Sequence, residues 1–370
     1  MLEADHMLRV PRVLEGRQGV HATVDGVDVV NFASNDYLGL AGDRRLSSAA
    51  AASLDRDGVG AGSSRLIIGN HRAHVMLEHD VADWMRCSGV RLFSTGYAAN
   101  VGVLTTLLRA GDAVFSDELN HASIIDGCRL SRASVEVYPH RDLAALERGL
   151  QSLGGRRRLV VSESVFSMDG DVADVAALAE LCRRYDAVFV LDEAHAVGVV
   201  GPEGRGAAAA VGVVPDLVIG TFGKALGTFG AFAATTQAVS DLLWNRARSL
   251  VFSTGVPPCI SAATSAAVMI VRGKEGDDRR RQMAASSRMF RALVPNVGGA
   301  KESAIAPIVI GDDRRVVELG MELLAAKLLV ASVRPPTVPA GTARLRVSMS
   351  AAHTAQNITE LAAMMQRVIQ

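Results

Sequence analysis

Two stretches in the middle of the chain decide its fold: A-V-F-V-L-D-E-A-H at residues 187–195 and L-V-I-G-T-F-G-K-A-L-G at residues 217–227. Each begins with a short apolar run, which is typical of a strand buried on both faces. The first run ends in Asp192 and is followed by His195, and the second is followed by Lys224. An acid, an imidazole and an amine are therefore predicted to follow the carboxyl ends of strands, where open α/β sheets bind ligands.

Similar apolar runs recur through the middle of the chain and alternate with helical patterns. They lie at residues 90–93, 113–116, 135–138, 159–162 and 230–235. Helical spacing is clearest at Val175, Leu178 and Cys182, which follow Asp174 as a capping residue. Strands that alternate with helices predict an α/β fold with a mostly parallel central sheet flanked by helices.

The pattern changes near residue 271, where a charged helical stretch begins. It is followed by strand-like, helical and strand-like segments at residues 306–310, 316–329 and 345–349. This second pattern predicts a smaller α+β domain at the C-terminal end. We expect an N-terminal segment of residues 1–38, a large domain of residues 39–270 and a small domain of residues 271–370.

Composition excludes several classes of protein. The 370 residues carry no formal net charge and are 49% hydrophobic, so neither nucleic acid nor an anionic membrane is an expected partner. We find no membrane-spanning apolar stretch and no signal-peptide pattern. The four cysteines form no C-x-x-C pair, which favours reduced thiols, no metal site and a cytoplasmic location.

Two glycine-containing motifs that bind phosphates can be rejected. A P-loop ending at Gly223-Lys224 would need glycine where Val218 stands and Ser or Thr where Ala225 stands. The glycine run that starts at residue 58 has Ser63 where a dinucleotide fingerprint needs glycine. A serine nucleophile elbow is also missing from the sequence.

Lys224 and Asp192 together suit an aromatic aldehyde cofactor. Pyridoxal 5'-phosphate needs a lysine that links to its aldehyde and a carboxylate that keeps its ring nitrogen protonated. The glycines around Lys224 allow the backbone to approach a ligand closely.

At this point the chain resembles the pyridoxal-phosphate-dependent α-oxoamine synthases, which have the fold of the fold-type I transferases. The resemblance covers nearly the whole chain and rests on six motifs that occur in the same order. They are S-N-D-Y-L-G-L at 34–40, S-T-G-Y-A-A-N at 94–100, N-H-A-S at 120–123, S-V-F-S-M-D-G at 164–170, D-E-A-H at 192–195 and T-F-G-K at 221–224.

The resemblance implies roles for the residues around the cofactor ring. Lys224 would carry the cofactor and then remove the α-proton of an amino acid. Asp192 would hold the proton of the ring nitrogen, and His195 would hydrogen-bond the phenolic oxygen. His121 would stack on the ring face.

The resemblance also implies a phosphate site. The backbone N–H groups of Gly96 and Tyr97 would bind phosphate at the start of a helix. Thr221 would add a hydroxyl group. Ser253 and Thr254 would reach the phosphate of a neighbouring subunit, which implies a homodimer with sites at the subunit interface.

Substrate binding is assigned by the same resemblance. A guanidinium matches the two oxygens of a carboxylate, and Arg346 with Asn35 as its partner is the implied pair. Ser167 would lie near the cofactor and this carboxylate. We expect Arg344 to be a surface residue on the opposite face of the same strand.

The same resemblance assigns Arg334, Thr337 and Arg9 to the binding of an acyl substrate. The segment R-P-P-T-V-P-A-G-T-A-R-L-R at 334–346 most resembles members that condense L-alanine with a pimeloyl thioester, of CoA or a carrier protein, in biotin biosynthesis. Glycine or serine with another acyl-CoA, an aminotransferase or aldolase of the same fold, and an inactive paralogue are the alternatives.

Overall fold

The structure, a computed structural model, describes residues 9–152 and 157–369. Residue contacts divide the chain into two units. The larger unit contains Asp43–Phe166 and Ala173–Asp277. The described residues of the smaller unit come from Met1–Gly42, Ser167–Val172 and Asp278–Gln370.

The strands of the described residues are numbered in chain order. They are β1 Leu14–Glu15, β2 His21–Val24, β3 Val27–Asn31, β4 Gly89–Phe93, β5 Ala113–Asp117, β6 Ser134–Tyr138, β7 Arg158–Glu163, β8 Ala187–Asp192, β9 Leu217–Thr221, β10 Ala231–Thr235, β11 Ile305–Gly311, β12 Leu328–Leu329, β13 Ala331–Val333 and β14 Ala343–Ser348.

The α-helices are numbered in the same way. They are α1 Arg44–Asp57, α2 Arg72–Met85, α3 Gly96–Leu107, α4 Ala122–Ser131, α5 Leu143–Ser152, α6 Val175–Arg184, α7 Ala207–Ala210, α8 Gln237–Arg246, α9 Arg248–Val251, α10 Pro258–Arg272, α11 Lys274–Leu293, α12 Asp313–Ala325 and α13 Ala355–Ile369. Over the described ranges, no helix is both long and apolar enough to cross a membrane.

The larger unit is built on a seven-stranded sheet. Its strand order is β4-β10-β9-β8-β7-β5-β6, as far as the described residues show. Within residues 9–152 and 157–369, only β10 of this sheet runs antiparallel to its neighbours, β4 and β9, and the other pairs are parallel. The prediction of a mostly parallel sheet is confirmed, and β8 and β9 lie side by side in it.

The core of the larger unit packs helices against this sheet. Leu104 and Ile124 of α3 and α4 lie in one buried cluster with Val161, Val190 and Ile219 of the central strands. Burial of each such side chain contributes about 1.5–3 kcal/mol. The carboxyl ends of the parallel strands are thereby held in fixed positions, and these ends carry the site described below.

The smaller unit contains two small sheets. One has the order β1-β2-β3-β12 and the other β11-β14-β13 among the described residues. The expectation of a single helix over residues 316–329 is wrong at its end. Helix α12 stops at Ala325, and Leu328–Leu329 pairs in parallel with Val30 and Asn31 of β3. The apolar pattern alone could not distinguish the end of the helix from this short strand.

Candidate active site

Asp192 is the last residue of β8 and is 5% exposed. Its Oδ1 accepts a hydrogen bond of 2.8 Å from the backbone N–H of Ala194. Its Oδ2 accepts one of 2.7 Å from Nδ2 of Asn100. Among the described residues no arginine or lysine forms an ion pair with this carboxylate. A buried carboxylate with only neutral donors is suited to a cationic ligand group.

Lys224 lies in the connection between β9 and β10 and is half-buried. Its charge and that of Asp192 both act on the ring of His121. Burial lowers the pKa of the His121 imidazole, Asp192 acts to raise it, and Lys224 acts to lower it. The amine, the carboxylate and the imidazole therefore share one electrostatic environment, although more than a hundred residues separate His121 from Lys224.

His121 caps the N-terminus of α4. Its Nδ1 accepts a hydrogen bond of 3.2 Å from the backbone N–H of Ser123 and lies 2.8 Å from Ser123 Oγ. His195 is 7% exposed and lies in the turn that follows β8. This turn is joined to β9 by a hydrogen bond of 2.8 Å from the N–H of Glu193 to the carbonyl of Ile219.

Three residues of this site were not singled out from the sequence: Asn100, Ser123 and Glu193. Asn100 and Ser123 are buried and link Asp192 to His121. Glu193 is fully buried and accepts hydrogen bonds from Ser164 Oγ and from two N–H groups at the start of α7. Burial raises the pKa of the Glu193 carboxyl group. The sequence marks Asn100, Ser123 and Glu193 only by their positions inside the motifs at 94–100, 120–123 and 192–195.

The start of α3 offers free backbone donors. Gly96 and Tyr97 are its first residues, and N–H groups of the first turn have no acceptor within the helix. The hydroxyl of Thr95 accepts from the N–H of Ala98 at 3.0 Å, which caps the helix. A Cβ placed on Gly96 would meet no atom within 4 Å. The Tyr97 hydroxyl donates to the carboxylate of Asp126.

Thr221 ends β9, and its side chain is engaged in its own loop. The hydroxyl donates to the carbonyl of Gly230 at 3.0 Å and accepts from the N–H of Gly223 at 3.2 Å. Its remaining lone pair is the part of the hydroxyl still open to a ligand.

Ser253 and Thr254 follow α9 in a segment that pairs with residue 64. Thr254 forms an isolated antiparallel bridge with Ser64, and the Ser253 hydroxyl donates to the carbonyl of Ser249 at 2.7 Å. Thr254 is exposed and Ser253 is half-buried. Both residues thus lie at the surface of the larger unit.

The smaller unit holds a buried guanidinium. Arg346 of β14 is 4% exposed, and its Nε donates to the carbonyl of Ser167 at 2.7 Å. Its Nη1 donates to Asn35 Oδ1 at 3.1 Å and to Ser348 Oγ at 2.9 Å. Its Nη2 donates to the hydroxyl of Tyr37 at 3.3 Å. In the described part of the chain no carboxylate forms an ion pair with Arg346, so its N–H groups bond neutral acceptors and its charge is not neutralised.

The expectation that Arg344 is a surface residue, on the face of the strand opposite Arg346, is wrong in both parts. Side chains two residues apart on a strand lie on the same face, and Arg344 is as buried as Arg346. Its Nη1 forms an ion pair of 2.5 Å with Asp169. Arg344 therefore has a protein carboxylate as its partner, whereas Arg346 does not.

Arg9, Arg334 and Thr337 line one cavity of about 650 Å³ in the smaller unit. Arg9 Nη2 donates to Thr337 Oγ1 and to the carbonyl of Pro335, each at 3.3 Å. The cavity also has apolar lining from Val317, Met321, Leu329 and Val330.

The predicted site residues therefore form separate groups. The larger unit brings together Lys224, Asp192 and His121, and it carries His195, Thr221, Gly96 and Tyr97 at the same ends of its strands. The smaller unit brings together Arg346, Asn35 and Ser167 and, around the cavity, Arg9, Arg334 and Thr337.

Comparison with known proteins places the chain in a family. Residues 27–365 match the model of the family described as aminotransferase class I and II. A relative from Citrifermentans bemidjiense, named 8-amino-7-oxononanoate synthase, is 43% identical over 99% of this chain and 96% of its own. A relative of the same name from Burkholderia orbicola is 45% identical over 98% of this chain and 91% of its own.

A solved structure has a similar fold. Serine palmitoyltransferase from S. paucimobilis with bound PLP–myriocin superposes with a TM-score of 0.93 at 30% identity. The match covers 97% of this chain and 92% of that one. The chain therefore belongs to the aminotransferase class I and II family, and its relatives in that family include 8-amino-7-oxononanoate synthases.

Proposed function

We propose that this protein is a pyridoxal-phosphate-dependent acyltransferase of biotin biosynthesis. It condenses L-alanine with a pimeloyl thioester, of CoA or of a carrier protein, and releases 8-amino-7-oxononanoate, carbon dioxide and a free thiol. The observation that carries the proposal is the chain of contacts that joins Asp192 through Asn100 and Ser123 to His121, whose ring also experiences the charge of Lys224. The names of the 43–45% identical relatives support the choice of substrates.

The residues of the larger unit fit pyridoxal phosphate. Asp192 is a buried acceptor whose donors in the described ranges are neutral, which suits a protonated ring nitrogen. The open space at Gly96 and the free N–H groups of α3 suit the phosphate. When bound, the cofactor supplies an electron-poor ring that accepts the electron pair left on the amino acid's Cα.

Lys224 would hold the cofactor and move one proton. Its half-buried amine, in the neutral form, accepts the proton from Cα of alanine. Cα then bonds to the thioester carbonyl carbon, and the C–S bond breaks to release the thiol. Loss of the alanine carboxylate as carbon dioxide leaves an electron pair on Cα, which takes one proton back. The leaving thiolate takes up the proton that the ammonium group of alanine gives up, so the atoms and charges balance.

Arg346 would bind the α-carboxylate of alanine. Its guanidinium is already held in place by Asn35 and by the carbonyl of Ser167, so little side-chain freedom is lost on binding. The missing ion pair among the described residues leaves its charge for the substrate. Arg344 is not proposed for this role because Asp169 already neutralises it.

The cavity of the smaller unit would receive the acyl donor. Its apolar lining suits a methylene chain, and the guanidinium groups of Arg9 and Arg334 suit a distal carboxylate. A pimeloyl group has both features, which supports a dicarboxylic donor.

We also propose a homodimer. Val59, Ile67, Ile68 and Phe252 are large apolar residues with at least 72% of their surface exposed. They lie in two segments that the bridge between Ser64 and Thr254 joins. Exposed apolar clusters mark protein interfaces. A second copy on this surface would place Ser253 and Thr254 at the subunit interface, as the resemblance implies.

A second candidate is an α-oxoamine synthase that joins serine to a long-chain acyl thioester. The observation in its favour is the TM-score of 0.93 with serine palmitoyltransferase, although the sequence identity is only 30%. The two candidates differ in the amino acid and in the charge of the acyl end.

Thiol release distinguishes the candidates. The protein, loaded with pyridoxal phosphate, is offered alanine, glycine or serine with pimeloyl-, succinyl-, acetyl- or palmitoyl-CoA, and free thiol is measured. We expect the highest kcat/KM with alanine and pimeloyl-CoA. Thiol release with serine and palmitoyl-CoA alone would favour the second candidate. Amino-group transfer to an oxo acid without thiol release would indicate an aminotransferase.

A further inference from the structure

Asn100 occupies the space between two groups of the proposed site. It lies on α3 and is 1% exposed. One hydrogen of its Nδ2 is donated to Asp192 Oδ2 at 2.7 Å, and the other to Ser123 Oγ at 3.0 Å. Its Oδ1 is buried without a hydrogen-bond partner among the described residues. An unpartnered buried oxygen is costly, so the arrangement must be determined by the two donated bonds.

The orientation of this amide is set by charge. If the amide were rotated by half a turn, Oδ1 would face Asp192 Oδ2, and two acceptors would lie against each other. The observed orientation is the one that stabilises an ionised Asp192. The short distance of 2.7 Å is typical of a hydrogen bond to a charged acceptor.

The hydrogen bond from Asn100 to Ser123 bears on which ring nitrogen of His121 carries the proton. Nδ1 of His121 accepts from the N–H of Ser123 at 3.2 Å, so it carries no hydrogen of its own. Ser123 Oγ lies 2.8 Å from the same nitrogen and accepts from Asn100, so its O–H can donate to the one lone pair of Nδ1, which it then shares with the N–H of Ser123. The proton of the neutral ring is then on Nε2.

We propose that Asn100 and Ser123 are positioning residues of one hydrogen-bond relay, which orients the carboxylate of Asp192 and fixes the Nε2-protonated tautomer of His121 together. The importance of that orientation and that tautomer rests on the proposed function, whereas the relay itself rests on the contacts. A neutral His121 avoids a second positive charge beside the protonated ring nitrogen that Asp192 would hold.

Replacement of one atom tests the relay. Asn100→Asp keeps the shape of the side chain but replaces Nδ2 with an acceptor, so the oxygen at that position faces Asp192 Oδ2 and can also accept the Ser123 O–H. Ser123→Ala removes only the hydroxyl and leaves the contact between Asn100 and Asp192. Asn357→Asp is the matched control, because Asn357 is also buried and its Oδ1 accepts from the N–H of Thr354, a contact that a carboxylate retains.

Two readouts report on the relay independently of turnover. Nitrogen-15 NMR of the histidine-labelled full chain without cofactor gives the tautomer of His121, which is identified by the loss of its signals in His121→Gln. Fluorescence titration gives the Kd for pyridoxal phosphate. We expect wild-type protein and the control to show the Nε2-protonated tautomer, and both Asn100→Asp and Ser123→Ala to lower its ratio to the other forms by about tenfold.

The Kd for pyridoxal phosphate distinguishes the contact to Asp192 from the contact to His121. It should rise about 10- to 100-fold in Asn100→Asp and change by less than about threefold in Ser123→Ala. Unchanged tautomer ratios in both variants would overturn the proposal, as would an unchanged Kd in a folded Asn100→Asp. If Asn100→Asp fails to fold, the tautomer ratio of His121 in Ser123→Ala tests the relay alone, and an unchanged ratio there would overturn the proposal. Failure of wild-type protein to bind the cofactor would instead overturn the proposed function, and the tautomers would still test the relay.

Discussion

Arg346 donates a hydrogen bond of 3.1 Å to Asn35, although 311 residues separate the two in the chain. The same guanidinium also donates to the carbonyl of Ser167. Because its partners are all neutral among the described residues, the group is positioned without being neutralised. A buried charge held in this way is favourable only if a ligand of opposite charge completes the site.

Replacement of Arg346 by lysine should therefore impair alanine binding. An ammonium group lacks the planar fork by which Arg346 contacts Ser167 and Asn35 and still presents an N–H to a carboxylate. We expect the KM for alanine to rise by about 10- to 100-fold in Arg346→Lys, with a smaller change in kcat. Steady-state kinetics measures both. The control is Arg288→Lys, an exposed arginine paired with Glu302, and an unchanged KM in Arg346→Lys would rule out its proposed role.

Lys224 should be the site of covalent attachment of the cofactor. Pyridoxal phosphate should give the protein a visible absorbance band, and borohydride treatment should fix the cofactor on the peptide that contains Lys224. Lys224→Ala should lose that label and all measurable turnover. Peptide mass spectrometry locates the label. Lys301→Ala, at an exposed position, should behave as wild type, and a label on another lysine would contradict the assignment.

His353 should make stability depend on pH. Burial lowers the pKa of His353 to about 4. Its Nδ1 accepts a hydrogen bond from the N–H of Ser350, and its ring stacks on that of Phe32 with 4.1 Å between the ring centroids. The unfolded chain binds this proton near pH 6.5, so the stabilisation is full above pH 6.5 and is lost as pH falls towards 4.

We expect this loss to be roughly 3 kcal/mol in the free energy of unfolding of wild-type protein. Denaturant unfolding at several pH values measures it. His353→Asn, whose amide oxygen can accept from Ser350, should be less stable at neutral pH and should show a smaller fall between pH 6.5 and 4. The exposed His79→Gln should keep the wild-type slope. Parallel pH profiles for wild type and His353→Asn would refute the prediction.

Ile68 should contribute to the subunit interface. It is 80% exposed in the single chain, and a carboxylate there would have to be buried in the dimer. We expect Ile68→Asp to raise the dimer dissociation constant by at least about tenfold, as measured by sedimentation, and to lower activity at low protein concentration. Val214→Asp, which is even more exposed at 93%, is the control. An equal effect of both variants would argue against this surface as the interface.

Much of the central sheet could be predicted from sequence because it is encoded locally. The apolar runs before Asp192 and Lys224 were predicted as strands, and the structure has β8 and β9 there, adjacent and parallel. Strands buried on both faces carry continuous apolar runs, so they leave a signal in a few consecutive residues. Leu328–Leu329 left no such signal, since two residues that pair with a distant strand are too short for a pattern.

The sequence by itself determined the alternation of strands and helices, the acid, imidazole and amine that follow strand ends, and the family. It did so because short apolar periods and residue types are local properties. Only the tertiary structure decided which of two neighbouring arginines is neutralised by Asp169, and which residue connects Asp192 to His121. Those outcomes depend on contacts between residues far apart in the chain, and no local pattern records which side chains the packing brings together.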